Sequence, residues 1–487
     1  MRLFAVSTSA NTDRTLAQIK AGGITVALHM GDVTADFKAS SLSRLTNRRG
    51  RLGHLMDGQR FTGAARALML DPGHAALMEE FIDHLHRTGP LNTHRAHPLT
   101  GMQAYFDYYH ILADVMAERM IAAGITHCLF FNIPHLSYDS MAFQVAQALG
   151  LPCVIVTQSL FPNRYFSMAH PRDMGDFAPA GTAPPYPMQR GEKPDLFYMK
   201  GIKQEREAGG TVSAKGFLQF LTYLALKRPL QALNPFYITR LYRHMQKTYA
   251  AFPKWRDPFA RFFHADNLAY FDHLARFEET PVDLTGDFIY VPLQLQPEMT
   301  TSSLGDAFRD QALAVEWLAG LVPAGVRILV KENPKQHSAH MRGPLFFHRL
   351  NRIPSVTVLP SWANTAALTD HAQFVATITG TVGWEAVRSG KPALVFGRAW
   401  YRRLPGVVEY REGLTYAEIL AASPDHDALQ QAAGDLLART HPGVVDRHYT
   451  KLVPDFDVDA NDTAVAATII GLLNGTAAFT FGPTMRR

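Results

Sequence analysis

The sequence predicts an α/β protein of two Rossmann-like domains facing a cleft, with a helical insertion in the first. Three observations predict it. Short apolar runs alternate with helix-period segments in two separate blocks, the pattern of parallel strands covered by helices on both faces. Polar and glycine-rich turns follow those strands, at the ends where open parallel sheets hold ligands. The chain has 487 residues, more than one core needs at about 150 residues per domain.

The first block opens with an apolar strand over residues 2–7, a helix over 15–21 and a strand over 23–28. It resumes with a helix over 107–123, a strand over 126–131, a helix over 140–149 and a strand over 152–157. Residues 162–187 are dense in Pro and Gly and read as a long surface loop, and 213–263 read as aromatic and basic helices. The second block places strands at 288–293, 326–330, 356–359, 373–377 and 393–396. Its helices fall at 308–321, 364–369 and 382–389, with a last helix at 464–473. The expected division is 1–285 for an N-terminal domain with the insertion at about 188–265. Residues 286–474 form a C-terminal domain and 475–487 a tail.

Composition narrows the function classes. Hydrophobic residues make up 47% and charged residues 19%, which is globular rather than disordered. A net charge of +5 suits either a solvated basic surface or an anionic partner: nucleotide phosphates, an acidic glycan or a membrane face. Basic clusters such as Arg48-Arg49-Gly50-Arg51 are too short for a nucleic-acid-binding stripe, so nucleic acid is not an expected partner. Cys128 and Cys153 sit in apolar runs and read as core residues on neighbouring strands. Neither a metal cluster nor a disulfide framework is expected, and a reduced, cytoplasmic location fits. The N-terminal apolar run is too short for a signal peptide. No run approaches the roughly 18 apolar residues of a membrane span. The run from Phe217 to Lys227, with Arg228, Arg240, Arg243 and Lys247 beyond it, suits either a buried helix or a membrane-surface one.

The chemistry concentrates at strand ends. Thr379, Gly380, Thr381, Val382 and Gly383 form a glycine-bearing turn between a strand and a helix. Glycines there let backbone approach a ligand, and the helix start offers amides and positive potential to a phosphate. Glu385, in the first helical turn, suits ribose hydroxyls; the plainer alternative is a capping carboxylate. Lys331, Glu332, Asn333, Pro334, Lys335 and Gln336 follow another strand. The lysines suit phosphate. Glu332 is a base, a ribose ligand or simply an ion-pair partner. Gln294, Gln296, Glu298, Thr300 and Thr301 follow the first strand of the second block, and Glu298 is the preferred catalytic carboxylate. In the first block, Asn132, His135 and Asp139 follow one buried strand, and Gln158 and Arg164 the next. They are candidates for the acceptor side, with Asp139 as rival base. The chain carries no nucleophile elbow, Walker loop or zinc-protease motif.

Three ordered segments together resemble the capsule polysaccharide biosynthesis proteins, the family that includes the retaining Kdo transferases of the capsule lipid linker. They are Gln296-Pro-Glu-Met-Thr-Thr301, Val330-Lys-Glu-Asn-Pro-Lys-Gln336, and Thr379 to Ala386 running on to Phe396-Gly-Arg-Ala-Trp-Tyr401. The resemblance covers residues 286–405. It implies a GT-B fold and transfer of a sugar from a nucleotide-sugar, with neither a required metal nor a tightly bound cofactor. It also implies a glycan or glycolipid acceptor and work at the cytoplasmic, inner-membrane face with capsule assembly proteins. The family commonly has His where this chain has Asn333, and Asn cannot carry a proton or charge. The donor is thereby left open between a CMP-Kdo-like sugar and a UDP-sugar. Other readings of the same scaffold are a nucleotide-sugar epimerase, a polyol-phosphate transferase and a catalytically silent glycan-binding assembly protein.

Overall fold

The computed structural model describes residues 1–7, 9–31, 36–38, 61–88, 101–192, 229–240, 276–336 and 345–482, with 218, 221–222, 224–226, 243, 273 and 342–343 between them. Most of the expected insertion at 188–265, and the basic cluster at 48–51, lie outside the described residues.

The first lobe contains β1 (Arg2–Val6), α1 (Ala10–Ala21), β2 (Thr25–Gly31), β3 (Phe37–Lys38), α2 (Ala64–Met69), α3 (His74–Thr88), α4 (Met102–Ala122), β4 (His127–Phe130), α5 (Ser137–Ala148), β5 (Cys153–Gln158) and β6 (Arg164–Met168). The second contains β7 (Phe288–Pro292), α6 (Gln311–Leu321), β8 (Arg327–Lys331), α7 (Phe346–Asn351), β9 (Val356–Leu359), α8 (Thr365–His371), β10 (Val375–Thr377), α9 (Thr381–Arg388), β11 (Ala393–Val395), β12 (Val407–Glu409) and α10 (Tyr416–Ala421). The chain closes with α11 (His426–Arg439), β13 (His441–Pro442) and α12 (Val458–Leu473).

Two sheets result, seven strands in the order β13-β6-β5-β4-β1-β2-β3 and six in the order β12-β11-β10-β7-β8-β9. The second is parallel throughout; in the first only β6 runs against the rest, pairing antiparallel with both β5 and β13. Alternation within β1 explains the layering. Phe4 and Val6 join a core with Phe81, Tyr109, Leu112 and Phe130, while Leu3 and Ala5 face the opposite core with Leu16 and Ile19. Cys128 and Cys153 are register partners on adjacent strands, and both are buried.

Two of the differences from the sequence reading reshape the first lobe. The last helix was expected in the second domain, yet Val465, Ile469 and Leu472 pack with Leu3, Leu16 and Ile19 on the first sheet. That helical spacing gives one apolar face, and the face left open by α1 and β1 is the one it covers. Asp462 fixes it by accepting from Arg14 Nε at 2.8 Å and Thr15 Oγ1 at 3.2 Å. The stretch 162–187 contains β6, which pairs antiparallel with β5. Its Pro-rich part is strapped to α11, where the Asp435 carboxylate accepts from the amides of Gly181, Thr182 and Ala183 at 2.7, 3.2 and 3.0 Å.

Candidate active site

In the second sheet, chain order diverges between β7 and β10, and ligands of open parallel sheets bind outside such a divergence. The loops that meet there are Leu293–Ser303 after β7 and Ile378–Gly380 after β10. Gln294 fastens them together: its Oε1 accepts from the Thr379 amide at 2.8 Å and its Nε2 donates to Thr379 Oγ1 at 3.3 Å. Thr379 Oγ1 in turn donates to the Thr300 carbonyl at 2.6 Å. Gly380 is required by closeness, since a Cβ there would stand 2.8 Å from Thr377 Oγ1 and 3.2 Å from the Gln294 side chain. A Cβ on Gly383 would collide with the Tyr401 ring, whose hydroxyl donates to the Gly380 carbonyl. The turn is thus held open at the start of α9, where the helix presents positive potential.

A cavity of about 690 Å³ lies against this turn. From the second lobe it is lined by Gln294, Glu298 and Thr300, by Lys331 to Pro334, and by Thr379 to Val382 with Glu385. From the first lobe come Thr157, Gln158, Leu160, Phe166 and Met174. Lys331 is buried, and its Nζ donates to Thr365 Oγ1 at 2.7 Å. Burial pulls its ammonium down to about 8, against the opposing pull of Glu278 and Glu385.

The neighbours of Lys331 divide by partner. The Glu332 carboxylate is locked in a buried fork with Arg342, both oxygens accepting at 2.9 Å, and its Oε1 also accepts from the Asn333 amide at 2.7 Å. Asn333 turns its Oδ1 to the Lys335 amide at 2.9 Å, closing the turn before Pro334. Gln336 brackets the Gln296 backbone, accepting from its amide at 3.0 Å and donating to its carbonyl at 2.7 Å. Gln336 and Gln296 therefore shape the loops without lining the cavity. Thr301 is likewise buried, donating to the Leu295 carbonyl at 2.8 Å. Glu298 stands at the head of the short helical turn Met299–Ser303 and accepts from the Met299 amide at 3.1 Å.

In the first lobe only Gln158 of the expected acceptor residues lines the cavity. Its Nε2 donates to the Arg164 carbonyl at 2.8 Å, and its Oε1 accepts from the amides of Val445 and Asp446 at 2.9 and 3.2 Å. Asn132 accepts from Thr157 Oγ1 at 2.8 Å, which places it one residue behind the wall. Asp139 caps the start of α5, accepting from the amides of His135 and Leu136 at 3.0 and 2.6 Å. His135 is buried, with Nδ1 2.6 Å from the Ile133 carbonyl. Arg164 opens β6.

Sequence reasoning did not single out Tyr290, Thr365, Thr377 or Tyr449 as cavity residues. Thr365 had a signal, being the first residue after the Asn364 cap of α8. Tyr449 had none, because it belongs to the segment that returns to the first lobe. Arg398 and Trp400 stand in the quoted Phe396–Tyr401 segment and also line the cavity. Among the described residues no group of three His, Cys, Asp or Glu side chains is placed to hold a metal.

The family described as "Capsule polysaccharide biosynthesis protein" matches residues 267–440. No curated protein matches the chain by sequence. Among solved structures, the chain is similar to the Thermosulfurimonas dismutans KpsC β-Kdo 2,7 transferase, at 10% identity over 96% of this chain and 99% of that one, with a TM-score of 0.33. It is also similar to the KpsC β-Kdo 2,4 transferase of the same organism, at 14% identity over 66% and 82%, with a TM-score of 0.28. A Methanocaldococcus jannaschii UDP-GlcNAc 2-epimerase follows at 10% identity over 90% and 99%, with a TM-score of 0.24.

Proposed function

We propose that this chain, whose residues 267–440 match the capsule polysaccharide biosynthesis family, is a glycosyltransferase that moves a sugar from a nucleotide-sugar to a capsular or surface glycan acceptor. The observation that carries the reading is the convergence of three family segments on one cavity, with a wall from the other lobe. The nucleotide lies against the Gly380 turn, with Glu385 on the ribose. The leaving phosphate takes its countercharge from Lys331 and from the amides at Thr381 and Val382. The acceptor enters along the Thr157–Leu160 wall. As the bond from the sugar to phosphate oxygen breaks and the bond to the acceptor oxygen forms, Glu298 takes the acceptor's proton or steadies the cationic sugar. Asp139 and Glu332 are weaker candidates, because one caps a helix and the other is matched by Arg342.

The donor is a CMP-sugar or a UDP-sugar, and the test is to incubate the protein with each, with and without short surface glycans. A lengthened glycan bears the reading out. An isomerised sugar nucleotide with no lengthened glycan refutes it. Glu298→Gln is expected to keep nucleotide affinity and lower turnover by about a hundredfold, the scale of general acid–base contributions.

The acceptor is presented at a membrane surface in this reading. Among the described residues, Leu226, Leu230, Leu233 and Phe236 are 69%, 85%, 81% and 86% exposed. Arg240 borders the same groove as Phe236. Apolar side chains beside arginines suit an anionic leaflet, at roughly 1 kcal/mol per basic residue near the surface. Phe217, Lys227, Arg228 and Lys247 lie outside the described residues. Among those described, no helix is long and apolar enough to cross a membrane.

A further inference from the structure

We infer that Asp83, on α3 of the first lobe, is a positioning residue for the loop that carries Glu298; the inference rests on the carboxylate role given to Glu298 above. The loop from Gln296 to Ser303 is held from two sides. Its own lobe holds it through Gln336 on the Gln296 backbone and through the Thr300 carbonyl, which accepts from Thr379. The first lobe holds the opposite side. Asp83 Oδ2 accepts from Gln296 Nε2 at 3.0 Å and from Ser302 Oγ at 3.1 Å. Next to it, Ser303 Oγ donates to the Pro134 carbonyl at 2.7 Å and lies 3.1 Å from His84 Nε2.

One carboxylate oxygen therefore grips the loop two residues before Glu298 and four residues after it. The grip is fixed to the first lobe, because Met78, Phe81 and Leu85 anchor α3 in that lobe's core. These polar contacts stand beside an apolar seam between the lobes, where Trp400 packs against Phe161 and Phe166. Asp83 thus couples the position of the loop that carries Glu298 to the first lobe. The Asn132–Asp139 segment belongs to the same latch through the Pro134 carbonyl.

The test is steady-state turnover and nucleotide affinity for Asp83→Ala, Asp83→Asn and Ser302→Ala, each in the native and in the Glu298→Gln background. In the native background Asp83→Ala is expected to lower turnover about tenfold or more, the scale on which misplaced catalytic groups act. Nucleotide affinity should be unchanged, with Asp83→Asn and Ser302→Ala intermediate. In the Glu298→Gln background the same substitutions should add less than about twofold, since coupled residues are not additive. An equal fold loss in both backgrounds, or a parallel loss of nucleotide affinity, would mean a merely structural role and overturn the inference. If Asp83→Ala does not fold, the two milder variants carry the same comparison. Near-normal turnover in Glu298→Gln alone overturns the carboxylate assignment itself, and the inference with it.

Discussion

Lys331 reaches the cavity as a buried ammonium bonded to a neutral hydroxyl, so its charge is sensitive to pH near neutrality. Its ordinary value is pulled down to about 8 by burial. A phosphate favours the charged form. Below about 8 the lysine already holds its proton and phosphate affinity is full. Above that pH, binding must take up a proton, and affinity falls by up to about tenfold per pH unit. Nucleotide affinity measured from pH 6.5 to 9.5 is expected to show this fall, flattened in Lys331→Met; a flat native profile would remove Lys331 from the phosphate site. Glu332 bears on folding stability instead. Its fork with Arg342 is buried on both sides, at 2% and 3% side-chain exposure. Arg342→Ala leaves a buried carboxylate unmatched and should cost about 3–5 kcal/mol of folding stability, read by chemical denaturation. The sequence showed a carboxylate next to a lysine but not which cation it would meet, because no spacing rule pairs it with Arg342, ten residues on. Asp139 is ambiguous in sequence for a related reason, since capping and catalysis ask for the same residue at the same end of a strand.

At the scale of elements, β1, β2, β4, β5 and β7 to β11 were legible because apolar runs bounded by turns leave few alternatives, whereas β3, β6, β12 and β13 were not read as strands. The Gly380–Gly383 turn was legible as well, and the reason its glycines are needed is now visible in Thr377, Gln294 and Tyr401. Gly383→Ala is expected to destabilise the second lobe by about 1–3 kcal/mol, the cost of overpacking, seen as a lowered melting temperature. An unchanged melt would mean that Tyr401 yields freely. What the sequence reading passed over is α3. Met78, Phe81 and Leu85 do recur at helical spacing, so the helix had a signal. The meeting of its polar side, at Asp83 and His84, with a loop more than two hundred residues later had none.

At the scale of the whole molecule, the two lobes are woven together by chain that leaves the first, builds the second and returns. Helix α12 covers one face of the first sheet, which places the domain boundary in space rather than at one point in sequence. Removing residues 458–487 should therefore unfold the first lobe while sparing the second, and limited proteolysis would show cleavage confined to the N-terminal half. Sedimentation with anionic vesicles at low salt tests the exposed leucine surface, and the binding should weaken as salt rises. The central claim is that the cavity between the lobes holds a nucleotide by Glu385 and the Gly380 turn. It is tested most directly by calorimetric titration of CMP, CDP, UDP and GDP into the native protein and into Glu385→Ala. One nucleotide should bind, and the variant should bind it about 1–3 kcal/mol more weakly, the scale of a lost hydrogen bond to a charged group. No binding of any nucleotide to the native protein, or equal affinity in a folded Glu385→Ala, would contradict it.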